Sequence, residues 1–238
     1  MKNIIGLSAI GFNTSACIMI NGKIKAAIEE ERLSREKRTR LFPERSIEYC
    51  LKSCDLTIDD IDAIAISWNP LINLEKFDKF QSKNLSYLPN ILHSALSHII
   101  KDKKIDEKYF KQTLILKKKK IDIFFIKHHL CHASMVYLSN FSSSGILTTD
   151  GFGEKESSTL SRFSKFKIDE INTNLFPHSL GAFYSTFTEY CGFRPQSEEW
   201  KLMGASSYSK NDILYQKLKN LVELKPKGKF ELNLNYFN

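Results

Sequence analysis

Apolar and polar residues alternate in short runs near the start of the chain. Residues 3–8 follow a strand pattern, and polar turn residues occupy positions 11–15 before apolar residues return at 16–20. Asn21-Gly22 separates this run from residues 23–29, and Asn-Gly between two apolar runs is the strongest short-range signal for a hairpin. The pattern predicts a three-stranded β-meander.

Helical spacing replaces strand alternation at Pro43. The missing N–H of this proline suits the first turn of a helix, and Ile47 and Leu51 follow on one helical face. We therefore predict a helix from Pro43 to about Ser53, followed by a buried strand at residues 63–67.

The middle of the chain has no dominant period. Residues 69–118 mix aromatic residues, histidines and lysines, which predicts an insertion containing helices. The elements predicted beyond it are a strand at 121–126, a helix at 128–138, a strand at 145–149 and a hairpin around 150–163.

The predicted order of elements is three strands, then helix, strand, helix, strand and helix. This is the order of a ribonuclease-H-like unit, two of which build the actin-like ATPase fold. We expect an α/β protein of this fold, with a complete first half at residues 1–140 and a partial second half at 141–238. Order alone is weak evidence, because many α/β domains alternate in this way.

Composition is that of a globular protein. The 238 residues are 42% apolar, which is enough to fill a core. No run approaches the roughly 18 apolar residues that span a bilayer, and the first residues lack the apolar run of a signal peptide. We therefore expect a cytoplasmic protein without a membrane partner. The five cysteines contain no CxxC pair, which predicts free thiols.

Positive charge exceeds negative charge by a formal +8, as in many nucleic-acid-binding proteins. The excess is spread over residues 32–45, 101–104, 117–120 and 225–229, without an evident aromatic platform. This distribution is typical of solvated loops and faces, so nucleic-acid binding is not expected.

Histidines concentrate in one short segment. His128, His129 and His132 are three of the six histidines in the chain. Positions i and i+4 lie on one helical face about 6 Å apart, so His128 and His132 can share a metal ion, with Asp150 as an oxygen ligand. The alternative is a histidine-rich helix start with ordinary hydrogen-bonding roles, because short motifs often arise by chance.

Ordered sequence blocks point to a known family. They are Ile5-Gly6-Leu7, residues 11–15, Asn21-Gly22-Lys23-Ile24, residues 28–37, Phe42-Pro43, residues 128–133, residues 149–154, residues 179–184 and residues 199–204. Through this ordered set the chain resembles the NodU/CmcH-type O-carbamoyltransferase family over roughly residues 3–209. The set is far more specific than any single motif.

The resemblance implies a chemistry. In this family a C-terminal domain makes carbamoyl-adenylate from carbamoyl phosphate and ATP. The N-terminal domain passes the carbamoyl group to a hydroxyl of a sugar or secondary metabolite. Carried over by position, His128, His132 and Asp150 would bind a divalent metal, with iron the first expectation and zinc the second.

The resemblance also suggests catalytic residues. His129, which the helix turns away from the metal face, is a candidate general base, although a hydrogen-bonded helix histidine is an equal alternative. Arg32 and Glu30 are candidates to orient substrate or bind an anion. A charge run of this kind is more often a solvated face.

Further candidates concern nucleotide or substrate binding. Asn13 and Ser15 lie in a turn whose small and hydroxylic residues suit a phosphate-cradling nest, although a plain hairpin turn is the alternative. Gly151 and Gly153 belong to the Asp150 block. Lys201 is a candidate phosphate contact, against a surface lysine as the alternative.

The chain also departs from the family pattern. Phe12-Asn13 stands where relatives commonly have His-Asp, and serines at 206, 207 and 209 replace a glycine-and-proline turn. Binding of the acceptor substrate is therefore expected to differ from that in other family members.

Family members are more than twice as long as this chain. We expect the second glycine-rich nucleotide motif, further metal ligands and the adenylate-forming domain to be absent from it. The chain is then either part of a carbamoyltransferase that needs a complementing chain, or a noncatalytic remnant that binds a partner or ligand. The Glu29-Glu30-Glu31-Arg32 block and Asp150-Gly151 disfavour a tRNA-modifying relative.

Overall fold

The structure is a computed structural model that describes residues 2–73, 108–116, 119–208 and 212–237. The chain divides into two compact units, Met1–Cys131 and His132–Asn238. In the described ranges, no helix has both the length and the apolar character needed to cross a membrane.

A six-stranded mixed sheet dominates the first unit. Its strands are β1 (Asn3–Ser8), β2 (Ser15–Ile20), β3 (Lys23–Glu29), β4 (Ala63–Ile66), β5 (Tyr109–Leu116) and β6 (Lys119–Ile126). The strand order is β3-β2-β1-β4-β6-β5. Strand β4 runs parallel to both β1 and β6, whereas the meander β1-β2-β3 and the pair β5-β6 are antiparallel. The protein is therefore α/β with a mixed sheet.

Alternating apolar residues build the core of this unit. Ile5 on β1 pairs in register with Ile18 on β2, and both are almost fully buried. Helix α1 (Glu30–Ser34) follows the meander, and helix α2 (Glu44–Lys52) packs Ile47 and Leu51 against the same core cluster. Each fully buried aliphatic side chain contributes about 1.5–3 kcal/mol to folding. The predicted meander, helix and central strand are confirmed.

The second unit is built on a three-stranded antiparallel meander. Its strands are β7 (Ser143–Thr149), β8 (Glu156–Ser164) and β9 (Lys167–Leu175). The helices and the closing hairpin that follow are α4 (Leu180–Tyr190), α5 (Glu199–Ala205), α6 (Asp212–Lys219), β10 (Val222–Lys225) and β11 (Lys229–Leu232). Helix α3 (His128–Ala133) precedes this meander, and the division between the units falls inside it.

Two predicted elements differ from the structure. The predicted helix at 128–138 is α-helical only as far as Ala133, and Ser134–Leu138 form a 3₁₀ helix. Most of the predicted helical insertion at 69–118 lies outside the described residues, but Pro70–Asn73 form a 3₁₀ turn and Tyr109–Leu116 form strand β5. Strand β5 is an edge strand with Ile115 69% exposed, so no buried face marks it in the sequence.

Candidate metal centre

His128 and His132 lie one turn apart on helix α3, and Asp150 directly follows strand β7. His132 Nε2 is 3.3 Å from Asp150 Oδ2. A ring nitrogen of each of His128 and His132 and a carboxylate oxygen of Asp150 all lie within 4.8 Å of one another. The three residues predicted as metal ligands therefore form one cluster.

His128 is oriented by a backbone carbonyl. Its Nδ1 lies 3.2 Å from the carbonyl oxygen of Ser67, just after β4, and its ring lies 5.8 Å from that of Trp68. A carbonyl oxygen can only accept, so Nδ1 must carry the proton in this hydrogen bond. The neutral ring then presents its lone pair at Nε2, which is the arrangement that outer hydrogen bonds give to metal-binding histidines.

The loop between β7 and β8 fixes the carboxylate of Asp150. Asp150 Oδ1 accepts a hydrogen bond from the backbone N–H of Gly151 at 2.6 Å. The backbone N–H of Asp150 donates to the carbonyl oxygen of Ser157 at 2.9 Å. One carboxylate oxygen is thus held by the loop, while the other faces His132.

Ser179 connects this loop to helix α4. It is fully buried, and its Oγ accepts a hydrogen bond from the N–H of Ala182 at 3.0 Å, as an N-cap residue does. The same hydroxyl donates to the carbonyl oxygen of Gly151 at 2.6 Å. The cap of α4 is therefore also a support for the Asp150 turn.

Gly181 allows this close approach. A Cβ atom at this position would lie 2.7 Å from both the carbonyl oxygen of Asp150 and the backbone nitrogen of Gly151. Neither backbone atom can move away as a flexible side chain could, so only glycine fits without a shift of the loop. Residues 179–184 are one of the sequence blocks shared with the family, but the sequence predicts no role for Ser179 or Gly181. The signals available were a capping serine and a glycine in the first turn of a helix.

The donor set suits a divalent transition metal. Two imidazole nitrogens and one carboxylate are common ligands of iron and zinc. Three protein ligands leave coordination positions for water or substrate. A groove of about 560 Å³ also borders His132 within the second unit, and its lining includes Met135, Phe141, Leu147 and Thr149.

The predicted catalytic residues lie in contrasting surroundings. His129 is only 1% exposed and its ring meets that of His128 edge-on, with the centroids 5.7 Å apart. The Arg32 side chain is 68% exposed and forms ion pairs of 3.6 Å with Glu29 and Glu31. His129 is thus enclosed, whereas Arg32 is open to solvent.

Glu30 has the contacts of a helix-capping group. Its side chain is buried, and Oε2 accepts hydrogen bonds from the backbone N–H of Ser46 at 2.8 Å and the Ser46 hydroxyl at 2.7 Å. Ser46 lies in the first turn of α2, where N–H groups lack partners within the helix. These contacts are sufficient to explain why a carboxylate is buried here.

The predicted nucleotide-binding residues are distributed over both units. Asn13 is exposed with a left-handed φ of 58°, and Ser15 opens strand β2 opposite Ser8. The backbone N–H of Gly153 donates to the carbonyl oxygen of Glu156 at 2.6 Å, closing the loop that follows Asp150.

Lys201 lies on helix α5, one turn after Glu198. Its Nζ is 2.5 Å from Glu198 Oε1, and this ion pair holds the pKa of Glu198 below its ordinary value. The lysine charge is therefore already balanced by a carboxylate of the same segment.

Comparison with known proteins identifies the family. Residues 3–238 match the family described as "Carbamoyltransferase N-terminus", and the chain belongs to it.

Similar proteins occur in bacteria and archaea. The chain is 32% identical over 249 residues to uncharacterized protein sll1178 of Synechocystis, covering all of this chain and 40% of that protein. It is 32% identical over 200 residues to nodulation protein NolNO of Sinorhizobium fredii, covering 82% of this chain and 27% of that protein. Uncharacterized protein MJ1051 of Methanocaldococcus jannaschii is 26% identical over 218 residues, which cover 90% of this chain and 35% of that protein. The chain thus spans two fifths or less of these relatives.

A solved structure, YeaZ from Pseudomonas aeruginosa, aligns with 74% of this chain and 68% of its own. The TM-score is 0.36 and the sequence identity is 8%.

Proposed function

We propose that this chain is the acceptor-side domain of an O-carbamoyltransferase. It would pass a carbamoyl group from carbamoyl-adenylate, made from carbamoyl phosphate and ATP, to a hydroxyl of a sugar or secondary metabolite. The hydroxyl oxygen would bond to the carbamoyl carbon as the bond from that carbon to the phosphate oxygen breaks, so that AMP and the hydroxyl proton leave. Membership of the carbamoyltransferase family supports the transferred group. The cluster of His128, His132 and Asp150 is the observation that carries the site assignment.

The cluster would hold a divalent metal, iron first and zinc second. A metal there would act as a Lewis acid and template for the phosphate of the adenylate. Other residues of the chain hold the metal ligands in place. The Ser67 carbonyl orients His128, and Ser179 supports the turn that carries Asp150. Such outer contacts typically change metal affinity 10- to 100-fold when they are removed.

The groove beside His132 would receive the acceptor. Its lining combines apolar side chains such as Met135 and Phe141 with hydroxyl groups such as Ser144 and Thr149. Small-molecule sites commonly pair apolar walls with a few polar groups that fix orientation. A hydroxyl-bearing small molecule matches that lining and would lie next to the metal ligands.

The strand order supports the actin-like fold proposed from the sequence. In the first unit an antiparallel meander is followed by a strand parallel to β1, as in a ribonuclease-H-like unit. The second unit opens with another antiparallel meander, β7-β8-β9. We assign residues 1–140 to the first half of the fold and 141–238 to the beginning of the second. Adenylate formation is assigned to a further portion or a complementing chain.

The proposal is tested by a transfer assay. The chain is incubated with carbamoyl phosphate, ATP, ferrous ion and a panel of sugars and polyols, with and without the complementary region of the sll1178 relative. We expect a carbamoylated acceptor that requires metal and is lost in His132→Ala. Asp169→Asn, which changes an exposed carboxylate on β9, is the matched control and should retain transfer. If metal binds but no acceptor is carbamoylated under any of these conditions, the chain is a noncatalytic binding module.

A further inference from the structure

Strand β7 is an edge strand of the second unit that lacks the usual protection of a sheet edge. The meander has the order β7-β8-β9, so β7 has one unpaired side within the described residues. Proteins commonly protect such edges with charged side chains, lysine above all, because an exposed edge offers its N–H and C=O groups to any other strand. Every other edge strand of the described sheets, namely β3, β5, β9, β10 and β11, carries at least one lysine, whereas β7 has no charged residue.

The hydrogen-bonding pattern determines which groups of β7 face the unpaired side. The N–H of Asp150 donates to the carbonyl oxygen of Ser157, and these two residues continue the register of the β7-β8 pair. Along an antiparallel strand, residues bond alternately to one neighbouring strand and to the other side. Ile146, four residues before Asp150, therefore bonds to β8, whereas the N–H and C=O groups of Gly145 and Leu147 point outward.

These outward groups are accessible. Leu147 is 72% exposed, and Gly145 is also exposed. No hydrogen bond reaches their outward N–H and C=O groups from any residue in the described ranges. An incoming extended segment would therefore find free donors and acceptors at two successive positions of the edge.

Apolar side chains line the groove beside this edge. Met135 is 63% exposed and Phe141 is 65% exposed, and both line the groove together with Ile146 and Leu147. Neighbouring apolar side chains with this degree of exposure are typical of an interaction surface. A strand with apolar side chains on one face would cover them while its backbone pairs with β7.

The first unit shows what joins a meander at this position. Its strand β1 is the first strand of the meander β1-β2-β3, and it pairs in parallel with β4 on its other side. Strand β7 is likewise the first of its meander, but no strand in the described ranges pairs with its other side. The relative sll1178 extends far beyond its match to this chain, which covers 40% of that protein. The remainder of such a relative is long enough to supply the strand that β7 lacks.

We infer that the unpaired edge of β7 is the surface at which this chain joins a complementing polypeptide, which adds an extended apolar strand parallel to β7. The identity of the partner rests on the proposed function, which assigns adenylate formation to a further portion or a complementing chain. Gly145 lies about 17 Å before Asp150 along an extended strand. The added strand therefore covers the part of the groove away from the metal ligands, and the acceptor lies at the His132 end.

The test is amide hydrogen exchange of the full chain, measured by NMR with and without the portion of sll1178 that lies outside its match to this chain. No metal, carbamoyl phosphate or acceptor is added. In the chain alone, the amides of Gly145 and Leu147 should exchange faster than that of Ile146, which bonds to β8. The partner should slow exchange at Gly145 and Leu147 about tenfold or more and leave Ile146 little changed.

Gly145→Pro removes one outward N–H without removing a hydrogen bond to β8, and proline is tolerated at such edge positions. Gly145→Ala is the matched control, because a Cβ atom there meets no atom within 4 Å. Isothermal titration calorimetry should give a dissociation constant for the sll1178 portion about tenfold or more higher for the proline variant than for the alanine variant. Leu147→Pro and Leu147→Ala repeat the comparison at the next outward position. Unchanged Ile146 exchange in the free variants shows that the β7-β8 pair is intact.

Unslowed exchange at Gly145 and Leu147 in the presence of the partner would overturn the inference. Equal binding by the proline and alanine variants would also overturn it, because the contact would then not use the edge of β7. Slower exchange in the chain alone as its concentration rises, with a doubled mass in sedimentation, would assign the edge to a second copy of this chain instead. Pairing without carbamoyl transfer would refute the proposed function and leave this inference standing, so the two failures are distinguishable.

Discussion

The Ser179 hydroxyl donates to the carbonyl oxygen of Gly151 at 2.6 Å while its oxygen caps helix α4 by accepting the N–H of Ala182. One buried side chain thus fixes both the start of a helix and the turn next to Asp150. Hydrogen bonds one step beyond the metal ligands orient those ligands. Metal affinity should therefore depend on α4, which supplies none of the three ligands.

Replacing Ser179 with alanine tests this dependence. We expect metal affinity to fall about tenfold or more, since the Asp150 turn loses its support. Loss of an N-cap should also lower the free energy of unfolding by about 1 kcal/mol. Equilibrium dialysis and urea denaturation measure the two effects. Ser179→Thr retains the hydroxyl and should recover most of the affinity. Affinity in Ser179→Ala equal to that of the wild type would show that the turn does not need this hydroxyl.

Gly181→Ala tests the dependence of metal affinity on α4 by adding a methyl group next to the Asp150 turn. The added methyl group would meet the Asp150–Gly151 backbone at 2.7 Å, so the loop must shift and metal affinity should fall. Gly204→Ala is the matched control, because it lies in helix α5 and its Cβ meets no atom within 4 Å. Alanine in a helix is favoured over glycine by about 1 kcal/mol, so the control should retain both metal and stability. Equal metal affinity in the two variants would contradict the packing argument.

The helix-capping contact of Glu30 predicts a stability effect. Glu30→Gln should lower the free energy of unfolding by about 1–3 kcal/mol, because the buried carboxylate accepts two hydrogen bonds from Ser46. Glu29→Gln changes a side chain that is 42% exposed and should have little effect. Urea denaturation compares the two variants. Unchanged stability in Glu30→Gln, together with loss of phosphate binding, would favour a substrate-binding role instead.

Thiol reactivity should distinguish the cysteines. None of the five cysteines forms a disulfide in the structure, as their number and spacing predict. Burial, with smaller contributions from Cys17 and Cys54, raises the pKa of the Cys50 thiol to about 11. About one thousandth of that thiol is ionised at pH 8, and the thiolate is the reactive form. A disulfide reagent at pH 8 should modify exposed Cys191 rapidly and Cys50 only on unfolding.

Cys191→Ser should remove that rapid phase. A rapid phase of unchanged size in this variant would mean that another thiol is the accessible one. Because burial raises the pKa of Cys50 from 9.0 to about 11, stability should fall as the pH rises between these values. Modification of Cys50 should therefore become faster over this range while still depending on unfolding.

Much of the fold could be predicted from the sequence because local signals agreed with tertiary packing. Asn21-Gly22 marks the hairpin of the first meander, and Ile5 and Ile18 fill one core from paired strands. The change from α to 3₁₀ helix after Ala133 could not be predicted from the sequence. Apolar residues three positions apart, as Ala133 and Val136 are, fit either geometry.

The candidate site, like the fold, could be predicted from the sequence only in part. Residues four positions apart on a helix lie on the same face, so His128 and His132 could be predicted as a pair of metal ligands from their spacing alone. Asp150 was a candidate oxygen ligand from its place between an apolar run and a glycine, and the family resemblance implied the same role. The contact from Ser179 to Gly151 joins residues 28 positions apart through the fold, and spacing does not encode it.

Metal stoichiometry tests the central assignment most directly. The purified chain is dialysed against ferrous or zinc ion and its metal content is measured per chain. We expect one ion in the wild type, and in His178→Ala and Asp169→Asn, which change residues of the second unit outside the cluster. His128→Ala/His132→Ala and Asp150→Asn should each retain little metal. Equal metal content in the wild type and in His128→Ala/His132→Ala would contradict the account.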